Sequence, residues 1–77
     1  VNGLMADNRL AIKKSMTEAA AMMTDVSAMT KEMAVYVKSG KFQGNVDEMM
    51  TTLNSTAKKA DEMVASMNAI IGDPEFQ

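Results

Sequence analysis

The residues with the most chemical potential in this chain are its methionines, of which there are ten in 77 residues. A thioether is a soft donor that suits Cu(I), and it is also a flexible apolar group that packs against many shapes. Three interpretations follow: ordinary core packing, a pliable surface for acyl chains or partner helices, and a copper site. Because every methionine fits a helical hydrophobic period, packing and the pliable surface are favoured over copper. Nine of them form the candidate ligand or partner face: Met16, Met22, Met23, Met29, Met33, Met49, Met50, Met63 and Met67.

A second regular feature is a row of carboxylates. Glu18, Asp25 and Glu32 recur every seven residues, so they share one stripe of a helix. Successive members are about 10 Å apart along the axis at 1.5 Å per residue, which is too far for two of them to chelate one ion. The row therefore predicts a solvated flank or interhelical ion pairs rather than a metal site.

The side chains that usually perform catalysis are missing or isolated. The sequence contains neither His nor Cys, which removes the commonest general base, the thiol nucleophile and the imidazole and thiolate ligands. The two lysine pairs, at 13–14 and 58–59, fall on polar faces, and the glycines lack phosphate-loop spacing. We expect no enzyme, no cofactor and no resident metal. A net charge of −2 also argues against a nucleic-acid partner.

Two long amphipathic segments must position these residues. The first runs from about residue 8 to 38, with an apolar stripe at alternating three- and four-residue spacing that Met22, Met29 and Tyr36 widen. Its members are Ile12, Met16, Ala19, Met23, Val26, Met33 and Val37. Met5, which precedes this segment, and the stripe members Ile12, Ala19, Val26 and Met33 recur every seven residues, as in a coiled coil.

The second segment is predicted to run from about 46 to 71. Asn45 is a good N-cap with Glu48 three residues later, and Gly72 is placed to end the helix. The turn 39-SGKFQGN-45 separates the segments, and Gly40 offers the left-handed conformation that ends helices. In this turn we expect Phe42 to cap the end of the core. The apolar face reads Val46, Met49, Met50, Leu53, Ala57, Ala60, Met63, Val64, Met67, Ile70 and Ile71.

Two helices joined by a short turn predict an all-α, antiparallel helical hairpin. The first stripe is wider than one neighbouring helix can cover. We therefore expect the hairpin to self-associate into a four-helix bundle or coiled coil, as a homo-oligomer.

The two ends of the chain resemble each other. The stretches 2-NGLMADNRL-10 and 68-NAIIGDPEF-76 agree in residue character at an offset of 66. This agreement predicts equivalent junctions between successive helices, with Asp7 and Asp73 as N-caps and residues 72–77 as the start of a truncated next helix. The chain would then be an excised piece of a helical array. Its longest apolar run is far shorter than a bilayer span, so any membrane anchor is expected outside it.

The junctions 70-IIGDPEFQ-77 and 4-LMADNRL-10, joined by Met- and Ala-rich helices, resemble the helical region that follows the mammalian-cell-entry (MCE) domain of MCE-family proteins. The turn within 36-YVKSGKFQGNVDEM-49 is similar to turns of that region. These proteins are substrate-binding components of bacterial ABC-type lipid transporters. The resemblance implies a periplasmic or cell-envelope location, a hexamer around a lipid path, and a role as spacer, tube wall or oligomerisation arm with a lipid or acyl-chain ligand. The alternative is a structural or signalling coiled-coil or four-helix-bundle dimerisation module unrelated to lipid.

Overall fold

The computed structural model describes residues 2–76, with side chains from residue 6 onward. It contains two helices, α1 (Asn2–Lys38) and α2 (Val46–Ile71), which pack against each other along their length. The all-α helical hairpin expected from the sequence is thereby confirmed. Over the described residues, neither helix combines the length and the apolar character that crossing a bilayer requires.

The turn between the helices is built by local chemistry. Gly40 adopts a φ of +89°, the left-handed conformation predicted for it. The Ser39 hydroxyl donates to the Tyr36 carbonyl at 2.6 Å, which satisfies one of the carbonyls left free at the end of α1. Phe42 is half-buried, and its ring covers Gly44 so closely that a Cβ built there would lie 2.5 Å from the ring. The turn therefore needs Gly44 for lack of space and Gly40 for its left-handed backbone.

Both ends of α2 lie where the sequence placed them. The Asn45 side chain accepts a hydrogen bond from the Glu48 backbone N–H at 2.9 Å, as an N-cap does. At the other end Gly72 is the C-cap, and its φ of −83° is an ordinary right-handed value rather than a left-handed one. Asp73 then caps a single turn over 74–76, since its side chain accepts from the Glu75 N–H at 2.9 Å.

The predicted start of α1 is wrong. We expected the helix to begin near residue 8 with Asp7 as its N-cap, but α1 already begins at Asn2 and passes through Asp7. No proline interrupts this stretch, and extending an existing helix by one residue costs far less than nucleating it. The two similar stretches therefore differ in structure, because 68-NAIIGDPEF-76 breaks at Gly72 whereas 2-NGLMADNRL-10 does not break. The side chain of Met5 and the residue Gln77 lie outside the described part.

The hairpin is long and thin. Its Cα radius of gyration is 17.5 Å, whereas a compact chain of this length would have about 11.5 Å. Its extents are 59 × 15 × 13 Å, which is one helix thick in the third dimension. The buried apolar side chains are few and mostly small: Ala20, Val37, Leu53 and Ala60. The core is therefore a single line of contacts between two helices.

The longer helix extends beyond the shorter one. α1 has 37 residues and α2 has 26, a difference of 11 residues or about 16 Å of helix. All side chains from residue 6 to 12 are exposed, including Leu10 and Ile12. The amino-terminal part of α1 is thus an overhang without cover from α2.

The turn gives a first test. Gly40→Ala should lower the free energy of unfolding by about 1 kcal/mol, because a Cβ is strained at this φ even though the surrounding space is open. Gly40→Asn should lose less, since Asn tolerates the left-handed region better. Urea unfolding followed by circular dichroism measures both. Equal losses for Ala and Asn would show that backbone strain is not the cause.

Candidate interaction face

The line of contact on α1 is a heptad pattern of mostly small and polar side chains. Its buried or half-buried positions alternate in steps of three and four residues, as helix packing requires. They are Met16, Ala20, Met23, Ser27, Thr30, Ala34 and Val37. Small residues recur every seven positions at Ala20, Ser27 and Ala34, so the backbone of α2 can approach closely along this line.

The matching line on α2 has the same spacing. Its positions are Met50, Leu53, Ala57, Ala60, Val64, Met67 and Ile71. Every one was predicted to lie on the apolar face of this helix. Ala57 and Ala60 are the small members at the middle, and Ala60 is almost completely buried. The two helices therefore meet through alanines at the centre and through larger side chains towards the ends.

The predicted stripe on α1 was rotated. Of its seven predicted members, Met16, Met23 and Val37 lie in the contact line. Ile12 and Met33 are instead exposed, and Ala19 and Val26 are only half-buried. The contact line follows the residues one position later in the sequence at Ala20, Ser27 and Ala34. Ala20 and Ala34 are only weakly hydrophobic and Ser27 is polar, so a hydrophobicity pattern does not mark these positions as buried. Close packing of two helices favours them because their side chains are small. These are the structural residues that sequence reasoning missed.

Two hydroxyl groups are buried in this line. Thr30 is satisfied within its own helix, because its hydroxyl donates to the Val26 carbonyl at 2.7 Å. Ser27 is 4% exposed, and its hydroxyl oxygen has no hydrogen-bond partner. A buried polar group without a partner lowers stability, so Ser27 is a weak point at the centre of the hairpin.

One side of the hairpin is polar. Lys31 of α1 and Asp61 of α2 approach to 4.0 Å, with side chains that are 67% and 58% exposed. An ion pair this open adds little stability, but it fixes which flanks of the two helices share a side. Thr24, Lys31 and Asp61 line the same shallow groove between the helices. The flanking rows on this side carry threonine and lysine on α1 and aspartate and asparagine on α2.

The opposite side is apolar. Helical geometry places the other flank of each helix there, and on both helices this flank carries large apolar side chains. On α1 the apolar members are Ile12, Ala19, Met22, Val26, Met29, Met33 and Tyr36. On α2 they are Met49, Met63 and Ile70, which alternate with the polar residues Thr52, Thr56, Lys59 and Ser66. We call this set the apolar face. Met22 is 61% exposed and Met29 is 55% exposed, so the hairpin itself leaves much of the apolar face in water.

The nine methionines of the sequence prediction divide between two places. Four line the contact between the helices: Met16, Met23, Met50 and Met67. Met22, Met29, Met33 and Met63 are exposed on the apolar face, and the half-buried Met49 lies at its edge. The structure therefore brings together five of the nine on one outer surface and places the other four in the thin core.

The acidic row borders this surface. Glu18, Asp25 and Glu32 are all exposed and lie one helical turn before Met22, Met29 and Tyr36 respectively. On the other edge, Lys59 lines a shallow groove with Met63 and Met67. Within residues 2–76, no three carboxylates converge on a point where a metal ion could be held. The face thus has an acidic border on α1, whereas its border on α2 carries both Lys59 and Glu62.

No protein-family profile, curated protein or solved structure gives a significant match to this chain.

The buried hydroxyl of Ser27 gives a second test. Ser27→Ala should raise the free energy of unfolding by about 1 kcal/mol, because it removes an unpartnered polar group and alanine is the better helix former. Ser15→Ala is the matched control, since Ser15 is exposed on the same helix and reports helix propensity alone. Urea midpoints of the two variants measure the difference. Identical gains would mean that burial of the Ser27 hydroxyl has no cost.

Proposed function

We propose that this chain is a non-enzymatic helical module that acts through its apolar face. In our proposal it belongs to a bacterial cell-envelope lipid transport protein of the MCE family and serves as a spacer, tube wall or oligomerisation arm, with the periplasm or cell envelope as its location. The observation that carries the proposal is the one-sided hairpin: a polar side marked by Lys31 and Asp61, and an apolar side with exposed Met22 and Met29.

The solvent-accessible area of the chain supports a role in binding another molecule. The chain exposes 5832 Å². A compact monomer of 8.3 kDa exposes about 4,600 Å² by the usual scaling with mass, so the excess is roughly 1,200 Å². A standard protein interface buries about 800 Å² on each partner. The surplus is therefore large enough to supply one complete interface.

The chemistry of the face suits acyl chains as well as helices. Met22, Met29, Met33 and Met63 offer unbranched side chains that repack around different shapes, which is how methionine-rich surfaces accept varied partners. A surface that contacts lipid must be apolar, and methionines allow it to accept acyl chains of different shapes. This supports the lipid-related part of the proposal.

The proposed cell-envelope location and the proposed parent protein rest on the resemblance to the MCE-associated helices. The phrase around Gly72, Asp73 and Pro74 ends α2 and starts a new capped turn, which suits helices that follow one another along a chain. The equivalent phrase near Asp7 forms continuous helix, so the repeat supports the proposal at one end of the chain only.

A second candidate function is a structural or signalling dimerisation module without any lipid. The heptad spacing of the apolar face on α1 favours it, since Ala19, Met22, Val26, Met29, Met33 and Tyr36 alternate in steps of three and four like a coiled-coil seam. Binding of an acyl chain distinguishes the two candidates.

A fluorescent fatty acid titrated into a dilute solution of the full chain tests the lipid function. We expect saturable binding that weakens at least roughly tenfold in the triple variant Met22→Gln, Met29→Gln, Met33→Gln, because each substitution removes apolar contact worth up to about 1.5–3 kcal/mol when fully buried. Glutamine keeps the length and helix propensity of methionine.

Val35→Gln is the matched control, since Val35 is 71% exposed on α1 and lies off the apolar face. It should bind the fatty acid as the unaltered chain does. A folded chain that takes up no fatty acid would contradict the lipid function and leave the dimerisation module as the better description.

A further inference from the structure

The apolar face of α1 has the arrangement of a second coiled-coil seam, separate from the contact with α2. Its two rows alternate in steps of three and four residues, as the a and d positions of a heptad written abcdefg do. The a row is Ala19, Val26 and Met33, and the d row is Met22, Met29 and Tyr36. Because each row returns after seven residues, one helix lying along the seam contacts all of its members.

Only α1 carries a complete seam of this kind. On α2 the row nearest the seam is Met49, Thr56, Met63 and Ile70. The row beyond it is polar and consists of Thr52, Lys59 and Ser66. A helix on the apolar face therefore finds its continuous apolar contacts along α1 and only scattered ones on α2.

The carboxylates of α1 hold the seam position that governs which partner a coiled coil accepts. Glu18, Asp25 and Glu32 each stand one residue before a member of the a row, which is the g position of the heptad. All three are exposed, and within residues 6–76 none of them forms an ion pair with a lysine or arginine. Charges at g positions pair with charges that flank the seam of the partner helix. This acidic row is thus free to meet a partner.

The border of the face on α2 does not select a charge. Lys59 and Glu62 line the same shallow groove beside Met63. Opposite charges placed side by side largely cancel, so this border favours neither a positive nor a negative partner. The net preference of the face is therefore set by the acidic row of α1, and it is for positive charge.

A second copy of this chain does not offer matching charges. A partner that meets the whole acidic row needs three cationic side chains at seven-residue intervals. In this sequence no three lysines or arginines have that spacing, and Lys31 and Lys38 are the only two that do. If the seams of two copies met in antiparallel orientation, the acidic rows would lie side by side and repel. The charges therefore favour a different polypeptide over self-association at this face.

We propose that the apolar face docks a basic amphipathic helix of another protein, whose seam is flanked by lysines or arginines that pair with Glu18, Asp25 and Glu32. To cover the face from Ile12 to Tyr36 this helix needs about 25 residues, or roughly 36 Å. It completes a three-helix bundle with α1 and α2. The proposal deepens the function given above and rests on it only in taking the apolar face as the working surface. It does not require lipid.

Two synthetic peptides of about 25 residues, the length of the face, test the role of charge. Both carry the same leucine seam and helix-forming background, with lysine at every flanking position in one and glutamate in the other. Isothermal titration into the full chain at low ionic strength should show that the lysine peptide binds at least roughly tenfold more tightly. Added salt should narrow the difference, because exposed ion pairs are screened. Equal affinities, or binding of neither peptide, overturn the proposal.

Neutralising the acidic row tests the proposed ion pairs directly. The triple variant Glu18→Gln, Asp25→Asn, Glu32→Gln should bind the lysine peptide roughly tenfold more weakly, because three exposed pairs of modest strength are lost together. Its affinity for the glutamate peptide should not fall, since repulsion is removed.

The matched control removes three negative charges that lie off the apolar face. Asp7→Asn, Asp47→Asn and Glu75→Gln are combined, because these residues are exposed. Asp47 lies two heptads before Asp61 on the polar side, and Glu75 follows the end of α2. The control should keep the affinity of the unaltered chain. An equal loss in both triple variants would show that the peptide responds to net charge alone, which overturns the proposal.

The methionine variant locates the peptide. Met22→Gln, Met29→Gln, Met33→Gln should weaken binding of the lysine peptide at least roughly tenfold, because these residues form half of the seam, whereas Val35→Gln should not. Full affinity in the methionine variant would place the peptide elsewhere and overturn the proposal. A dimer of the chain alone that the same variant dissociates also overturns it, since a second copy then occupies the face.

The fatty-acid titration keeps this test separate from that of the lipid function. A chain that binds the lysine peptide but no fatty acid supports this inference and contradicts only the lipid function. A chain that binds fatty acid but does not prefer the lysine peptide leaves the lipid function in place and overturns the inference.

Discussion

Two helices can hide from water only the strip along which they touch, and this limit governs the whole molecule. In this hairpin the strip is narrowed further, because Ala20 and Ala34 on α1 meet a contact line on α2 that has Ala57 and Ala60 at its centre. Small residues allow close approach of the backbones but bury little area each. The thin core, the elongated shape and the uncovered methionines all follow from that choice of side chains.

The parts of the fold that depend on local chemistry were predictable from the sequence. Gly40 follows α1 in a left-handed backbone conformation and Asn45 begins α2 through its side chain, each where it was expected. Gly72 is the C-cap of α2 at the expected position, although its φ is an ordinary right-handed value. The start of α1 was not predictable in the same way. Asp7 has the right chemistry for a cap, but a capping residue is also tolerated inside a helix when the residues before it continue the helix.

The rotation of α1 was the harder problem. Its apolar arc is wide enough for two neighbours, and a hydrophobic pattern marks the middle of such an arc rather than the edge that its hairpin partner occupies. Ser27 and Thr30 lie in the buried line although they are polar, whereas Met22 and Met29 lie outside although they are apolar. Thus the hydrophobic pattern identified the candidate methionines as one set. The structure divides them into those that line the contact between the helices and those that are exposed on the apolar face.

The overhang of α1 has a consequence for the dynamics of the hairpin. At the turn, the helix ends are held by Gly40, Phe42 and Asn45, whereas residues 6–12 are exposed and rely on their own helix for stability. Local opening needs least free energy where tertiary contacts are fewest. Amide protons should therefore exchange with solvent fastest at the amino-terminal end of α1 and progressively more slowly towards the alanine-lined middle, so the molecule frays from one end.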